Sequence, residues 1–247
     1  MNVVILGATS GMGRALARLM AARGDRLFLL GIGEDELARS AADLSVRAPE
    51  FRGEVGYALC DLGDPGCFAP ALRAAEDALG GVDCVIVTAG VFATQDALEA
   101  DIDRTEALLR INFTNTVVFC EHARETLLAR GGGTLCVFSS VAGDRGRKPV
   151  VLYGAAKAGL SRYLEGLDHR FRAQGLRTVC VKPGFVKTGM TVGLKPPPFA
   201  GEPEAVARTV LAAIDAGKPV VYAPPIWRVI MLVIRMLPRA LMRRLGF

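Results

Sequence analysis

The sequence predicts an α/β protein, a single domain built on a doubly wound parallel sheet of about seven strands. Short apolar runs alternate with Ala- and Leu-rich segments along most of the chain, which is the pattern of parallel strands joined by crossover helices. The first apolar run leads into a glycine-rich turn and then into a helix-like segment. A length of 247 residues suffices for one large core.

Seven strands are expected, near residues 3–6, 27–31, 55–60, 82–88, 134–139, 178–182 and 220–222. The helices between them include two long ones, at about 101–130 and 152–174. Residues 189–201 are too rich in glycine and proline for a regular element. We therefore assign residues 1–222 to the α/β domain and residues 223–247 to a C-terminal extension.

The turn after the first strand has the glycines that a dinucleotide-binding loop needs. Gly7 permits a tight turn, Gly11 lets backbone N–H groups approach a pyrophosphate, and Gly13 lets the helix pack closely on the strand. The N-terminus of the following helix favours an anion. An ordinary strand–helix turn could use the same glycines, but their position after the first strand favours a Rossmann-like nucleotide site.

Tyr153 and Lys157 form a Tyr-x-x-x-Lys pair on a predicted helix, and Ser140 lies at the end of the fifth strand. Positions i and i+4 share a helix face, so we expect the ammonium of Lys157 to lie near the phenol and to lower its pKa. Such a phenol can exchange a proton with a carbonyl or alcohol oxygen near neutral pH. Taken alone, the Tyr-x-x-x-Lys pair is better explained as part of a solvated helix face. The glycine turn at the first strand makes a catalytic site the better explanation.

Taken in order, these motifs resemble those of the short-chain dehydrogenase/reductase family over residues 2–222. Leu6 and Thr88 depart from the family pattern, in which threonine and asparagine are usual. The resemblance implies a nicotinamide-dependent oxidoreductase that interconverts a carbonyl and an alcohol. The further motifs are Cys60-Asp61-Leu62, Thr88-Ala89-Gly90, Asn112, Ser139-Ser140-Val141-Ala142-Gly143 and Pro183-Gly184-Phe185-Val186-Lys187-Thr188.

The resemblance also implies roles for individual residues. Tyr153 would exchange the proton, Ser140 would hydrogen-bond the substrate oxygen, Lys157 would hold the nicotinamide ribose, and Asn112 would hold a water that relays protons. The implied catalytic set is Asn112, Ser140, Tyr153 and Lys157. The implied cofactor-binding set is Gly7, Thr9, Ser10, Gly11, Met12, Gly13, Asp61, Leu62, Ala89, Gly90, Tyr153, Lys157, Pro183, Gly184, Val186 and Thr188.

Two other functions stay open. A sugar-nucleotide epimerase or dehydratase can share Tyr-x-x-x-Lys, but such enzymes usually have a larger C-terminal substrate domain. A non-catalytic dinucleotide sensor would need only the cofactor loop, and the full set from Asn112 to Lys157 argues against it.

The cofactor is expected to be NAD(H) or NADP(H), with a preference for NAD(H). An acidic residue at the end of the second strand would hold the ribose 2′-hydroxyl, and an arginine after it would hold a 2′-phosphate. The chain has Gly31 and Ile32 at these two positions, so it can hold neither the 2′-hydroxyl nor a 2′-phosphate in this way. The acidic run Glu34-Asp35-Glu36 that follows should repel a phosphate, although it also suits a helix N-terminus.

Composition indicates a reduced, cytoplasmic protein without a metal site. The six cysteines lack Cys-x-x-Cys spacing, and Cys84, Cys136 and Cys180 fall in strand-like runs. The two histidines lack metal-ligand spacing. Residues 2–6 are expected to form a strand rather than a secretory signal. No nucleic-acid partner is expected, because no binding motif or interleaved aromatic surface is present.

The C-terminal extension is basic and amphipathic, with no Asp or Glu after residue 215. On a helix, Arg228, Arg235, Arg239 and Arg243 fall on one side, and Pro238 should kink the segment or divide it in two. Trp227, Met231, Val233, Leu237 and Leu241 point elsewhere. The segment could lie at a membrane surface, pack within an oligomer or pack over the mouth of the active site, and the apolar run is too short to span a bilayer.

The extension, Ser140–Arg147 and Lys182–Met190 also resemble one branch of the family, the reductases of decaprenylphosphoryl-2-keto-erythro-pentose. That resemblance implies a lipid or lipid-linked keto-sugar substrate and a place on the inner face of the membrane. The family resemblance implies a homodimer or homotetramer formed through the two long helices.

Overall fold

The computed structural model describes residues 1–47 and 55–246. Every strand of its sheet is parallel, and the strand order is β3-β2-β1-β4-β5-β6-β7. The predicted Rossmann-like, doubly wound sheet is therefore confirmed. The strands are β1 (Asn2–Leu6), β2 (Arg26–Gly31), β3 (Gly56–Leu59), β4 (Cys84–Val87), β5 (Gly133–Phe138), β6 (Leu176–Pro183) and β7 (Val220–Ala223).

Helices cover both faces of this sheet, and alternate residues of each strand point to opposite cores. In β1, Val3 and Ile5 belong to one core, and Val4 and Leu6 belong to the other. The helices are α1 (Gly11–Ala22), α2 (Glu34–Arg47), α3 (Phe68–Leu79), α4 (Gln95–Glu99), α5 (Ile102–Leu109), α6 (Thr116–Ala129), α7 (Val151–Phe171), α8 (Pro203–Asp215), α9 (Ile226–Met236) and α10 (Arg239–Met242).

The helix expected at about 101–130 is not uniform. A π-helical turn, Arg110–Asn115, separates α5 from α6. The turn contains two buried asparagines whose amides bind loops beyond the helix: Asn112 contacts Val91, and Asn115 donates to the carbonyl of Leu62 at 2.6 Å. A π turn inside a helix often marks a functional site, and here it turns amide groups towards the carboxyl end of the sheet.

The segment 189–201 contains only a short 3₁₀ turn, Gly189–Thr191, and a single bridge between Val186 and Gly201. This agrees with the expectation of no regular element. The six cysteines are free thiols, and the three in strands are buried as expected. Cys60 and Cys67 approach each other to 3.8 Å between their sulfur atoms, a contact that the sequence did not predict.

The C-terminal segment is divided at Pro238 into α9 and α10, as predicted. Met231 and Ile234 of α9 are buried against Val141, which follows Ser140. Val229, Leu232, Val233 and Met236 are 55–78% exposed. The helix therefore has two apolar faces rather than one, because an inner face packs on the domain while an outer face stays open. No helix in the described ranges is long and apolar enough to cross a membrane.

Candidate active site

Most of the predicted site residues lie at the carboxyl end of the sheet, where parallel strands place their following loops together. β1 leads into the glycine turn, β4 into Thr88-Ala89-Gly90, β5 into Ser139-Ser140, and β6 into the loop that begins at Pro183. The centre of the sheet, between β1 and β4, is where the strand order reverses. Such a switch point is the usual ligand site of an open parallel sheet.

Tyr153, Ser140 and Lys157 meet beyond the end of β5. Ser140 has an extended backbone and caps a short 3₁₀ turn, with its hydroxyl accepting from the N–H of Ala142 at 3.1 Å. Its hydroxyl is also hydrogen-bonded to the phenol of Tyr153. Lys157 is 5% exposed, and its ammonium lies 5.9 Å from the centre of the Tyr153 ring. The structure therefore brings the three predicted side chains together.

The expected effect of Lys157 on the tyrosine pKa is not observed. Burial raises the pKa of Tyr153 to about 12, and only the hydrogen bond with Ser140 acts to lower it. Burial lowers the pKa of Lys157 to about 8. The ammonium of Lys157 points to the carbonyl of Phe138, to which it donates at 2.9 Å. The prediction was wrong on this point because helical spacing fixes the shared face but not the partner of a long side chain.

Asn112 is fully buried and lies beside this group. Its amide oxygen accepts from the N–H of Val91 at 2.9 Å, and its amide nitrogen donates to the carbonyl of Val91 at 2.7 Å. A Cβ added at Gly90 would lie 2.8 Å from that oxygen and 3.7 Å from the ammonium of Lys157. The side chain thus holds the loop after β4.

The glycine turn has the geometry that close approach to a phosphate requires. Gly7 and Gly11 have φ values of +96° and +49°, which side chains disfavour. A Cβ at Gly13 would lie 2.2 Å from the carbonyl oxygen of Gly7. The hydroxyl of Thr88 donates to the carbonyls of Leu6 and Gly7 at 3.1 and 3.0 Å, so it supports the turn at a position where asparagine is usual.

The remaining cofactor-binding candidates surround this turn. Thr9, Gly11 and Met12 are partly exposed, and Ser10 precedes α1 with an exposed side chain. Ala89 donates its N–H to the carbonyl of Leu6 at 3.2 Å. Residues 9–12 lie at the N-terminus of α1, and a helix start of this kind can bind an anion.

The loop after β6 faces the glycine turn. A Cβ at Gly11 would lie 3.2 Å from the methyl carbon of Thr188, which places Thr188 opposite the turn. Val186 is buried and paired with Gly201. Pro183 ends β6, and the N–H of Gly184 donates to the carbonyl of Ala223 at 3.0 Å. The loop after β6 therefore lies against the glycine turn, at the carboxyl end of the sheet.

Trp227 was not among the predicted site residues, but it covers part of this loop. A Cβ at Gly184 would lie 2.0 Å from the indole nitrogen of Trp227. That nitrogen donates to the carbonyl of Phe199 at 3.3 Å. The C-terminal extension therefore contacts the cofactor loop and the irregular segment at once. Packing over the mouth of the site was one of the alternatives that the sequence left open, because the choice depends on the direction in which α9 leaves β7.

The other end of the predicted cofactor site lies beyond β2 and β3. Asp61 is exposed and accepts from the N–H of Gly63 at 2.7 Å, while Leu62 is buried. Ile32 is 75% exposed at the end of β2, so a side chain at that position reaches solvent. The first turn of α2 holds Glu34, Asp35 and Glu36.

A polar network behind Ser140 was also missed. Asp144 accepts from the ammonium of Lys182 at 2.6 Å and from the phenol of Tyr222 at 2.7 Å. Burial acts to lower the pKa of Lys182, but the hydrogen bond with Asp144 raises it. The three residues lie far apart in sequence and join only through β6 and β7. Among the described residues, no group of three or more His, Cys, Asp or Glu side chains could hold a metal ion.

Comparison with known proteins gives a consistent result. A protein-family model described as short chain dehydrogenase matches residues 1–197. An uncharacterised oxidoreductase of Mycobacterium tuberculosis is 32% identical over 249 residues, which cover 98% of this chain and 96% of that protein. An uncharacterised oxidoreductase of Streptomyces coelicolor is 31% identical over 251 residues, covering 99% and 95% of the two chains.

Solved structures with the same fold include a short-chain type dehydrogenase/reductase from Mycobacterium ulcerans, with a TM-score of 0.80 and 21% identity over 89% of this chain and 86% of that chain. Levodione reductase superposes with a TM-score of 0.79 and 25% identity over 89% and 94% of the two chains. A variant of actinorhodin polyketide ketoreductase with NADPH superposes with a TM-score of 0.79 and 22% identity over 90% and 95%.

Proposed function

The chain belongs to the short-chain dehydrogenase family, and from that premise we propose that it interconverts a carbonyl and an alcohol on a lipophilic or lipid-linked substrate. The main support for this reaction is that Ser140, Tyr153 and Lys157 lie together at the same end of the sheet as the glycine turn. A bound nicotinamide dinucleotide supplies or accepts the hydride. The protein residues position the substrate oxygen and move the proton.

In carbonyl reduction, Tyr153 would give its phenolic proton to the substrate oxygen. A pKa of about 12 keeps this phenol protonated at neutral pH, so the proton to be transferred is present. Ser140 would hydrogen-bond the same oxygen, because its hydroxyl already contacts the phenol. Lys157, with a pKa of about 8, carries its charge at neutral pH and would bind the hydroxyls of the nicotinamide ribose.

The cofactor-binding roles follow the same geometry. Gly7, Gly11 and Gly13 would surround the pyrophosphate, with Thr9, Ser10 and Met12 supplying backbone N–H groups. Asp61 and Leu62 would flank the adenine, and Ala89 and Gly90 would line the cleft at the centre of the sheet. Pro183, Gly184, Val186 and Thr188 would hold the nicotinamide end.

Two observations support a lipophilic substrate. The irregular segment over the cleft exposes apolar side chains, with Val192 at 80% and Phe199 at 51%. The outer face of α9 is apolar and exposed, and Arg228 and Arg235 border it. A helix of this kind suits a membrane interface, so we propose that the protein contacts the inner face of the membrane through α9. The same face could instead be buried in a homodimer or homotetramer.

A substrate screen tests the proposal. Purified protein is incubated with NADH or NADPH and with keto-lipids, keto-sugars and small ketones, and loss of absorbance at the reduced nicotinamide band is followed. We expect turnover of at least one ketone, with the apolar substrates turned over faster. An epimerase or dehydratase would convert a sugar nucleotide without net loss of the reduced cofactor. A sensor would bind the cofactor and turn over nothing.

A further inference from the structure

A cavity of about 530 Å³ lies outside the cleft, between the loop after Ser140, one side of α7 and helix α10. Its wall includes five cationic side chains, and no described carboxylate lines it. The cations are Arg145, Arg147, Lys148, Arg239 and Arg243. Of the described residues, none forms a carboxylate ion pair with any of these five. A cluster of like charges without counterions is expected to attract an anion.

Arg147 is the most informative member of this cluster. Its Nε is buried and has no hydrogen-bond partner among the described residues. Buried donors in native proteins are nearly always paired, so an unpaired one indicates a missing acceptor. Burial lowers the pKa of Arg147, and only the charge of Asp144 acts to raise it.

Asp144, the carboxylate whose charge acts on Arg147, is already hydrogen-bonded to other residues. Asp144 lies three residues before Arg147, but its two oxygens accept from Lys182 and Tyr222 at 2.6 and 2.7 Å. Its charge acts on Arg147 only through space. An external acceptor is therefore the remaining partner for the guanidinium.

The C-terminal segment holds the second side of the cavity in place. Arg145 donates to the carbonyl of Leu237 at 2.8 Å, directly before Pro238. Met231 and Ile234 anchor α9 against Val141. Arg239 and Arg243 lie one turn apart on the helical segment that follows. The cations from the loop and from the segment thus face one another across the cavity.

We propose that this cavity binds a phosphate group, as a phosphomonoester or phosphodiester of a soluble or lipid ligand. Guanidinium groups match phosphate geometry with paired hydrogen bonds. The volume lies within the range of small-molecule sites. Val151, Ala155 and Met242 supply an apolar wall for the organic part of the ester. A ligand here would contact Ala142 and Gly143, which lie two and three residues after Ser140, so its binding would extend the proposed substrate site.

The proposal is tested by measuring phosphate binding to the natural protein and to variants of arginines that do or do not line the cavity. Inorganic phosphate and glycerol phosphate are titrated at constant ionic strength set with chloride, and the fluorescence of Trp227 and the melting temperature are followed. Arg147→Gln and Arg243→Gln should weaken binding at least tenfold. Arg244→Gln removes the same charge from the neighbouring residue, which does not line the cavity, and should change affinity less than twofold.

A second arm identifies the source of the phosphate. Vesicles of phosphatidylglycerol and of phosphatidylcholine are co-sedimented with the same variants. Binding of vesicles but not of soluble phosphates, lost in Arg243→Gln and kept in Arg244→Gln, would support a lipid phosphate. Saturable binding of soluble phosphates would support a free ligand. Equal weakening by Arg243→Gln and Arg244→Gln, or no saturable binding of any probe, would overturn the proposal. Because these experiments measure neither hydride transfer nor NADH binding, such a failure leaves the reductase assignment intact.

Discussion

Tyr153 and Lys157 lie one helical turn apart, and burial sets the pKa of each. The tyrosine pKa is raised to about 12 and the lysine pKa is lowered to about 8, so burial favours the neutral form of both groups. The sequence identified the two residues and their shared face. It could not show that the ammonium would bind the carbonyl of Phe138, because that contact depends on where β5 ends relative to α7.

The lowered pKa of Lys157 predicts a pH dependence. The ammonium is charged below about pH 8 and neutral above it, and only the charged form binds ribose hydroxyls as a strong donor. We therefore expect kcat/KM for the reduced cofactor, which reports the free enzyme, to be constant near pH 6–7 and to fall as pH rises through about 8. Initial rates between pH 6 and pH 10 measure this. Lys157→Arg should move the fall above pH 10, and an unchanged fall in that variant would exclude Lys157 as its source.

A preference for NADH over NADPH is expected from the end of β2. Ile32 is exposed where an arginine would hold a 2′-phosphate, and three acidic residues follow in α2. Fluorescence titration of both reduced cofactors measures the preference, and a several-fold tighter NADH complex is expected. Ile32→Arg should shift the ratio towards NADPH by about tenfold, since a hydrogen bond to a charged group contributes about 1.5 kcal/mol. Tighter NADPH binding by the natural chain would indicate another phosphate partner, such as the exposed Arg14 or Arg39.

At the scale of single elements, the turn between β1 and α1 depends on the absence of a side chain at Gly13. In Gly13→Ala the new methyl group would lie 2.2 Å from the carbonyl oxygen of Gly7. We expect the free energy of unfolding to fall by about 1–3 kcal/mol through overpacking, with at least tenfold weaker NADH binding. Denaturant unfolding and fluorescence titration measure the two effects.

Gly166→Ala in α7 is the matched control for that change. No atom lies within 4 Å of a Cβ at Gly166, so the better helix propensity of alanine should raise stability by up to about 1 kcal/mol. Equal behaviour of the two variants would show that close packing of the turn does not limit cofactor binding.

Helix α9 gives a second test at this scale, through its outer face. Val233→Glu with Met236→Glu places charges on side chains that are 57% and 78% exposed and leaves the inner face unchanged. If α9 lies on a membrane, the natural chain should co-sediment with anionic liposomes at low salt, and the double variant should lose most of that binding. Val46→Glu with Ile102→Glu, which changes two other exposed apolar residues, is the control and should bind as the natural chain does.

An oligomer would give the opposite pattern. Liposomes would then have no effect on the natural chain, and the double variant would elute later from a size-exclusion column because its partner surface is charged. The sequence predicted the basic character of this segment and its division at Pro238. It did not separate the inner from the outer apolar face, because helical periodicity does not say which side meets the domain.

At the scale of the whole molecule, the sheet could be predicted almost completely. Each of the seven strands lies within two residues of its expected bounds. In the central strands this is because buried parallel strands give continuous apolar runs between turn residues. The contacts that join distant elements could not be predicted. The network of Asp144, Lys182 and Tyr222 and the docking of α9 on Val141 both depend on the crossing of β6, β7 and the chain beyond them.

The oligomeric state, a homodimer or homotetramer, stays a prediction. α5, the π turn and α7 carry exposed apolar residues, among them Ile102 and Val151 at 78% and 51%. Such residues are suited to a subunit interface but do not by themselves require one. The relative position of the domain and the C-terminal extension beyond β7 is fixed by Met231 and Ile234, so both parts contribute to the surface around the cleft.

The most direct test of the proposed reaction is turnover by Tyr153→Phe on a ketone that the natural protein reduces. The change removes the phenolic proton and keeps the ring that packs at 5.3 Å on Phe92. We expect kcat to fall at least a hundredfold, since a positioned proton donor contributes about 10²–10⁴-fold, while the dissociation constant for the reduced cofactor changes by less than about threefold. Turnover within a few-fold of the natural protein would contradict the assignment of Tyr153 as the proton donor.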